Sequence, residues 1–376
     1  MATAIQPLIS SAPQIREARL EDYAQITALV ARSGLYTKGR EQWEHLWVHN
    51  PVYKKLNGWA IGWVAENANQ EIIGYVANLP LCVEFKGREL LTSCVSSIVV
   101  DSSHRGHGYG NSLVQCLLNH KRTELVVGTT ANAVSARLLQ SCGFSRVPVG
   151  DWGHASFWIT NYQGFVASVL SKRGWPRALS YPAAAALRLR DTFRHRDPWM
   201  RRNHCELLTC PSFDERFDKF WTELKRTHPE RLLTNRSREV LQWHFKYPLE
   251  QGRVWIIAVG DDSRLLAYAI FRRRDVPEHG LKRMQLVDFQ TIDGDVQVLT
   301  TMLAWALVRC RKKGIHMLEA FGFCPEKQAV IDAFAPHRRE LPSWWYFYKP
   351  SNAALGQELQ TPAVWDPTHL DGDTSL

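Results

Sequence analysis

No stretch of the 376-residue chain reaches the roughly 18 consecutive apolar residues that a membrane-spanning helix needs, so such a helix is excluded. The eight cysteines, at 82, 94, 116, 142, 205, 210, 310 and 324, form no C-x-x-C pair. None lies with paired histidines at zinc-ligand spacing, which argues against a structural zinc site. The first residues, MATAIQPLISSAPQIREARLED, lack the basic head and apolar core of a secretory signal. A cytoplasmic protein with reduced thiols is the expectation. Acidic residues are the scarcer charge, 37 against 46 Lys and Arg, giving a net +9 and a pI near 9.2. An apolar share of 45% and 11% aromatics exclude a disordered chain, and the length suits two domains.

The positive excess is concentrated. Lys172, Arg173, Arg177, Arg188, Arg190, Arg194, Arg196, Arg201 and Arg202 face only Asp191 and Asp197 between residues 172 and 202. Pro182 near a helix start, the Ala183–Ala186 run and Pro198 after the end read as a helical connector. Its charge allows a solvated linker helix, an anionic membrane surface or an RNA contact, and charge alone does not choose among them.

The two sides of this connector repeat one pattern. Residues 64–76 (VAENANQEIIGYV) align without a gap to 257–269 (IAVGDDSRLLAYA), each reading as strand, turn, strand. Upstream, Arg40-Glu41 to Pro51 resembles Arg238-Glu239 to Pro248. Before each lies an amphipathic helix, the second expected to open on a Ser212-x-x-Glu215 capping box. Downstream, CVSSIVV (94–100) and RMQLVDF (283–289) each lead into a long helix and another short strand (125–130 and 315–321). Trp344–Tyr348 reads as a last strand filling the core or the seam, and the tail as an extended segment docking through Trp365. The expected organisation is an N-terminal extension (1–14), a domain at 15–160, a basic helical linker (161–204), a second domain at 205–350 and a tail (351–376).

Chemistry concentrates in Asp101-Ser-Ser-His104-Arg105-Gly106-His107-Gly108-Tyr109-Gly110, between a strand and a helix. Alternate glycines let backbone amides approach an anion, and the helix dipole favours negative charge there. No Lys-Ser/Thr follows the last glycine, so this is not a P-loop, and no further glycine completes the dinucleotide fingerprint. Arg105-x-x-Gly108-x-Gly110 instead resembles the Arg/Gln-x-x-Gly-x-Gly/Ala loop of the GNAT N-acetyltransferase superfamily. Asn132, with Gly143-Phe144 eleven positions on, resembles that family's second cofactor segment.

The resemblance implies an α/β fold of mixed sheets, two GNAT-like domains in tandem, and an acyl-CoA site in the first. It assigns the pyrophosphate to the amides around Arg105, Gly106, His107, Gly108, Tyr109 and Gly110. The pantetheine arm falls to the strand end at Val99 and Val100, and its far side to Asn132. The implied activity is transfer of an acetyl group from acetyl-CoA to a primary amine of a small molecule or amino sugar. Two positions depart from the family: Leu139 stands where a Tyr acid is frequent, and the strand before the loop has no Glu base. Ser96 and Ser97 are the catalytic candidates on that strand, as holders of a water, with Glu66, Glu84, Asp101 and His154 as weaker ones. In the second copy, Asp293-Gly294-Asp295 would repel pyrophosphate, and Asp288 is a candidate acceptor contact. Alternatives are a Fem-type peptidyltransferase using aminoacyl-tRNA and a non-catalytic CoA-binding sensor or scaffold.

Overall fold

The computed structural model describes residues 13–120, 122–150, 152–194, 206–342 and 345–376. The first half runs β1 (Gln14–Glu17), α1 (Tyr23–Arg32), α2 (Arg40–Val48), β2 (Gly62–Glu66), β3 (Ile72–Phe85), β4 (Arg88–Val100), α3 (Tyr109–Leu118), β5 (Leu125–Ala131), α4 (Ala133–Ser141), β6 (Ser145–Arg146) and β7 (His154–Ile159). A helical hairpin follows, α5 (Tyr162–Lys172) and α6 (Ser180–Arg194). The second half repeats the order as β8 (Leu208–Cys210), α7 (Glu215–Thr227), β9 (Leu233–Thr234), α8 (Arg238–Glu250), β10 (Val254–Gly260), β11 (Leu265–Arg273), β12 (Arg283–Thr291), α9 (Val298–Lys312), β13 (Met317–Ala320), α10 (Pro325–Phe334), β14 (His337–Glu340) and β15 (Trp345–Pro350). A short helix, α11 (Ala353–Glu358), opens the tail.

Local chemistry accounts for the elements. Helix α3 buries Leu113, Val114 and Leu117 and α9 buries Leu299, Met302, Leu303 and Ala306, the spacing of one helical face. The cap of α7 is Asp214, which accepts from the Arg216 amide; the expected box from Ser212 does not form, because the helix starts at Glu215. Arg309, Arg311 and Lys312 close α9, and Gly314 follows at φ 62°. Equivalent residues of α2 and α8 meet reciprocally: His45 Nε2 donates to the Trp243 carbonyl (2.9 Å) and Trp243 Nε1 to that of His45 (3.0 Å).

The two sheets exchange strands. The first has the order β1-β2-β3-β4-β5-β15-β6, with β9 added at β3, and the second β14-β7-β13-β12-β11-β10-β8. Strand β15 therefore lies between β5 and β6 of the other half, and β7 between β13 and β14. Residues 154–159 belong by sequence to the first copy and by pairing to the second sheet. The expected cut at residue 160 thus follows the repeat but not the sheets. The Trp345–Tyr348 aromatics fill the first sheet's two faces: Tyr346 and Tyr348 pack on Trp365, and Phe347 on the opposite side with Val126 and Phe144.

The tail goes further than docking Trp365. In the second sheet β12 and β13 pair only from Arg283 to Gln285 against Met317 to Glu319, and then part. Residues 366–371 lie against that opening. The His369 amide donates to the Val287 carbonyl (3.0 Å), and Lys327 holds Asp366 at 2.6 Å. Arg236, fully buried, bonds Asp288 (3.0 and 3.2 Å), Asp371 (3.3 Å) and Thr368 (3.2 Å), and Tyr268 donates to Asp288 at 2.7 Å. Asp288 is thus consumed internally, so the second opening holds the protein's own chain in place of an acceptor. Burial works against ionisation of Asp371 and Arg236 favours it, with a net upward pKa.

His369 is buried too, with Nε2 donating to the Phe321 carbonyl at 2.9 Å. Burial lowers its pKa from 6.5 to about 4. The unfolded chain gains a proton on this ring below pH 6.5, and the folded chain only near 4. Stability present at neutral pH is therefore lost as pH falls through that window, by up to about 3 kcal/mol. Buried His244, also lowered, acts in the same direction. Urea titrations across the window should show the midpoint falling with pH, with a shallower fall for His369→Gln; equal slopes would contradict this account.

Candidate functional site

The site begins where β4 and β5 separate. Their parallel pairing covers Thr92–Cys94 against Leu125–Val127 and goes no further, so the β5-facing edge of β4 from Val95 onward is unpaired. On its other edge β4 carries a bulge: Ser96 pairs with Ala77 and Val99 with Tyr75, leaving Ser97 and Ile98 without partners. Ser97 takes φ +51°, the left-handed region. A bulge of this kind twists a strand and takes amides out of the ladder. Free strand amides in an open wedge can hold a carbonyl oxygen or an extended ligand backbone.

Beyond β4, Asp101 caps a short turn at 102–104 by accepting from the Ser103 amide. Gly106 and Gly108 have φ 84° and 82°, with nothing within 4 Å of where a Cβ would lie, so they serve backbone conformation. Gly110 serves packing, since a Cβ there would meet Leu138 Cδ2 at 3.3 Å and hold α3 away from α4. Gly108 caps α3 without a side chain, which leaves the first-turn amides open to an anion. Arg105 is exposed, its Nε on the Val100 carbonyl at 3.2 Å, and His107 and Tyr109 stack beside it (6.1 Å). Val99 is buried and Val100 partly buried at the strand end. Asn132 caps α4 through the Val134 and Ser135 amides, both at 2.9 Å, and also lines the wedge.

A cavity of about 410 Å3 occupies the wedge. Its lining includes Ser96, Ser97, Thr129 and Leu139 from the two strands and α4, apolar residues of α1 and α2 such as Ile26, Val30, Trp43 and Trp47, and Lys38, Arg274 and Asp373. Asp373, from the tail, accepts from Ser96 Oγ (2.5 Å), Thr129 Oγ1 (2.6 Å) and Thr130 Oγ1 (3.4 Å). A carboxylate thus reaches β4, which has none of its own at the wedge. Ser96 is this carboxylate's donor, and Ser97 Oγ lies 3.5 Å from Ser96 Oγ. Leu139 is in the core, against Gly128, with no acidic proton to offer.

Positive charge stands near Asp373. Arg272 lies in β11 and Arg274 just past its end, and Lys38 comes from the α1–α2 loop. Burial first, then the nearby Arg272 and Arg274, lower the Lys38 ammonium to about 8. Arg274 donates to the Thr374 carbonyl at 3.2 Å, while Arg272 Nε and Nη1 are buried with no hydrogen-bond partner. Such orphaned donors cost free energy unless a ligand satisfies them.

The second copy's loop is closed by its own carboxylates. Asp293 accepts from Thr291 Oγ1 (2.5 Å) and the Asp295 amide (3.0 Å), and Asp295 from the Gln297 amide (2.9 Å). Amides that are open in the first copy are occupied here by negative charge. Of the weaker candidates, Glu66 pairs with Arg16, buried Glu84 pairs with Lys225, and His154 sits in β7 of the other sheet. The carboxylate at the wedge that the sequence did not reveal is Asp373: its only signal was an acidic tail, and 277 residues separate it from Ser96. Among the described residues no cluster of three or more His, Cys, Asp or Glu could hold a metal.

Residues 58–146 match the family model for the acetyltransferase (GNAT) domain. No curated protein matches the chain by sequence. Among solved structures, a GCN5-related N-acetyltransferase from Kribbella flavida superposes with TM-score 0.57 at 10% identity, covering 92% of this chain and 72% of that one. A GCN5-related N-acetyltransferase from Anabaena variabilis gives 0.53 at 13% identity (90% and 73%). Saccharomyces cerevisiae N-myristoyltransferase, solved with bound myristoyl-CoA, gives 0.59 at 10% identity (93% and 81%). Residues 58–146 thus match an acetyltransferase domain, and the chain shares its fold with GNAT-type acyltransferases. The fold is that of two GNAT-like halves in tandem, with the matched acetyltransferase domain in the first.

The bulge makes its own prediction. Glycine suits φ +51° whereas a β-branched residue is strained there by about 1–3 kcal/mol. Ser97→Gly should keep its stability within about 1 kcal/mol of the native protein, and Ser97→Val should lose clearly more in chemical denaturation. Equal losses would remove the bulge from the description of the site.

Proposed function

We propose that the first half transfers an acyl group from acyl-CoA, with acetyl-CoA as the donor, to the primary amine of a small molecule. The observation that carries this reading is Asp373, held by Ser96 and Thr129 at the mouth of the β4–β5 wedge. The amides around Gly106–Gly110 and the guanidinium of Arg105 bind the pyrophosphate, and the free β4 edge at Val99–Val100 pairs with the pantetheine arm. The thioester carbonyl points to amides released by the bulge at Ser97–Ile98. Asp373 takes a proton from the acceptor ammonium, and the neutral amine attacks the thioester carbon. The adduct loses its extra N–H proton to solvent and collapses to the amide with loss of CoA thiolate, which leaves without an acid because Leu139 supplies none.

The acceptor carries an anionic group beside its amine. Lys38 and Arg274 line the cavity near Asp373, with Arg272 close enough to Lys38 to lower its pKa, and a carboxylate or phosphate would balance this positive charge. The second copy, with its loop and opening filled by its own side chains, supports the first and binds no CoA.

Three measurements test this. Calorimetry with acetyl-CoA should show binding lost in the Arg105→Glu, Gly108→Glu variant; unchanged affinity would refute the loop's role. Asp373→Asn should lower kcat by about 10²–10⁴ with little change in acetyl-CoA affinity, whereas full activity would move the base elsewhere. Acetylation of β-alanine and O-phosphoethanolamine should exceed that of ethylamine at equal concentration. Lys38→Gln should raise KM for the anionic amines alone, by about tenfold. Equal use of all three amines would sink the anionic acceptor while leaving acyl transfer standing. Absence of CoA release with every amine would favour a CoA-binding sensor.

A further inference from the structure

The basic connector folds as the α5–α6 hairpin, and only one side of it is used by the fold. Asn161 caps α5 by accepting from the Gly164 amide (2.9 Å). Val166 and Leu170 of α5 meet Ala184 and Leu187 of α6, and Phe165 continues to Phe157 and Met317 of the second sheet. On α6 the inward positions are Ser180, Ala184, Leu187 and Asp191, one helical face at spacings of three and four. Asp191, the single acid between residues 172 and 194, is buried and accepts from Tyr162 (3.1 Å) and Arg190.

The outward side of α6 is apolar as well. Tyr181 (67% exposed), Ala185, Leu189 (59%) and Phe193 (80%) follow one another at every fourth position, with Pro182, Ala186 and the one polar neighbour Thr192 beside them. At about 100° per residue they cover an arc of about 140°. Arg188 and Arg190, both exposed, border this arc on its two sides. At the hairpin turn Trp175 (56%) and Leu179 (47%) are exposed among Lys172, Arg173 and Arg177. Five of the large hydrophobics exposed in the described chain thus gather within 19 residues that show solvent no negative side chain. The rest of the sequence's basic stretch, 195–202, lies outside the described residues.

We infer that this hairpin docks the protein on an anionic lipid surface, with the α6 arc and Trp175 entering the headgroup boundary and the cations meeting acidic headgroups. An apolar arc edged by Arg, with an aromatic at the turn, has the polarity profile of a bilayer interface. Each cation held near such a surface adds attraction that salt screens. RNA would require the cations at the centre of the contact, where here the side chains are hydrocarbon. Among the described residues no helix is long and apolar enough to cross a membrane, so the contact lies in the interface plane. This inference stands apart from acyl transfer: none of these residues lines the catalytic wedge.

Flotation of the full chain with phosphatidylcholine vesicles, with and without phosphatidylserine, tests it. The bound fraction should rise several-fold with phosphatidylserine and fall with added salt. Leu189→Ser with Phe193→Ser should weaken binding about tenfold, and Arg173→Gln with Arg177→Gln should remove the preference for acidic lipid. Both variants change exposed side chains, so melting temperature and acyl transfer to a soluble amine should stay at native values. The proposal is overturned if acidic vesicles bind no protein, or if the serine variant binds them as well as the native chain. It also fails if the arc mediates dimerisation, seen as a native dimer that the serine variant dissociates, or if transfer RNA competes fully with the vesicles.

Discussion

The buried guanidinium of Arg236 organises more of this molecule than any other group. It is wholly enclosed, and Asp288 and Asp371 balance it from two parts of the chain. An ion set of this kind contributes little net stability compared with a hydrocarbon core, but loss of one member leaves an uncompensated buried charge. Its geometry anchors residues 366–371 at the opening of the second sheet. From that anchor the chain turns toward the first sheet and places Asp373 on Ser96 and Thr129. The base proposed for one half is thus held by an ion pair in the other.

The strand exchange has the same consequence. With β15 between β5 and β6, and β7 between β13 and β14, each sheet is completed by the opposite half. Reciprocal bonds between His45 and Trp243 and the strap β9 on β3 tighten the joint. The second copy, with its loop amides capped by Asp293 and Asp295, acts as the frame that carries the tail and Arg274 to the first copy's wedge. A degenerate copy is in this sense part of the site.

Much of the layout was legible from residue patterns. Helical faces at spacings of three and four, a hairpin repeated across the connector, and glycines at alternate positions of a loop all report local physics. The Gly106 and Gly108 backbone angles and the buried faces of α3 and α9 agree with it. Local chemistry misled at Ser212, where the neighbouring Asp214 caps α7. It was silent on the bulge at Ser97, because a left-handed serine inside a strand has no compositional mark.

What the sequence by itself determined is the repeat, the glycine-rich loop and the placement of charge on the connector, since each depends on neighbours within a few residues. Only the tertiary structure decided which half completes which sheet, that Asp288 is consumed by Arg236, and that Asp373 stands where β4 has no carboxylate. It also decided that the connector's outward face is hydrocarbon edged by arginine. Those outcomes depend on contacts between segments fifty or more residues apart and on which side of a helix the core leaves uncovered, and no local pattern encodes either.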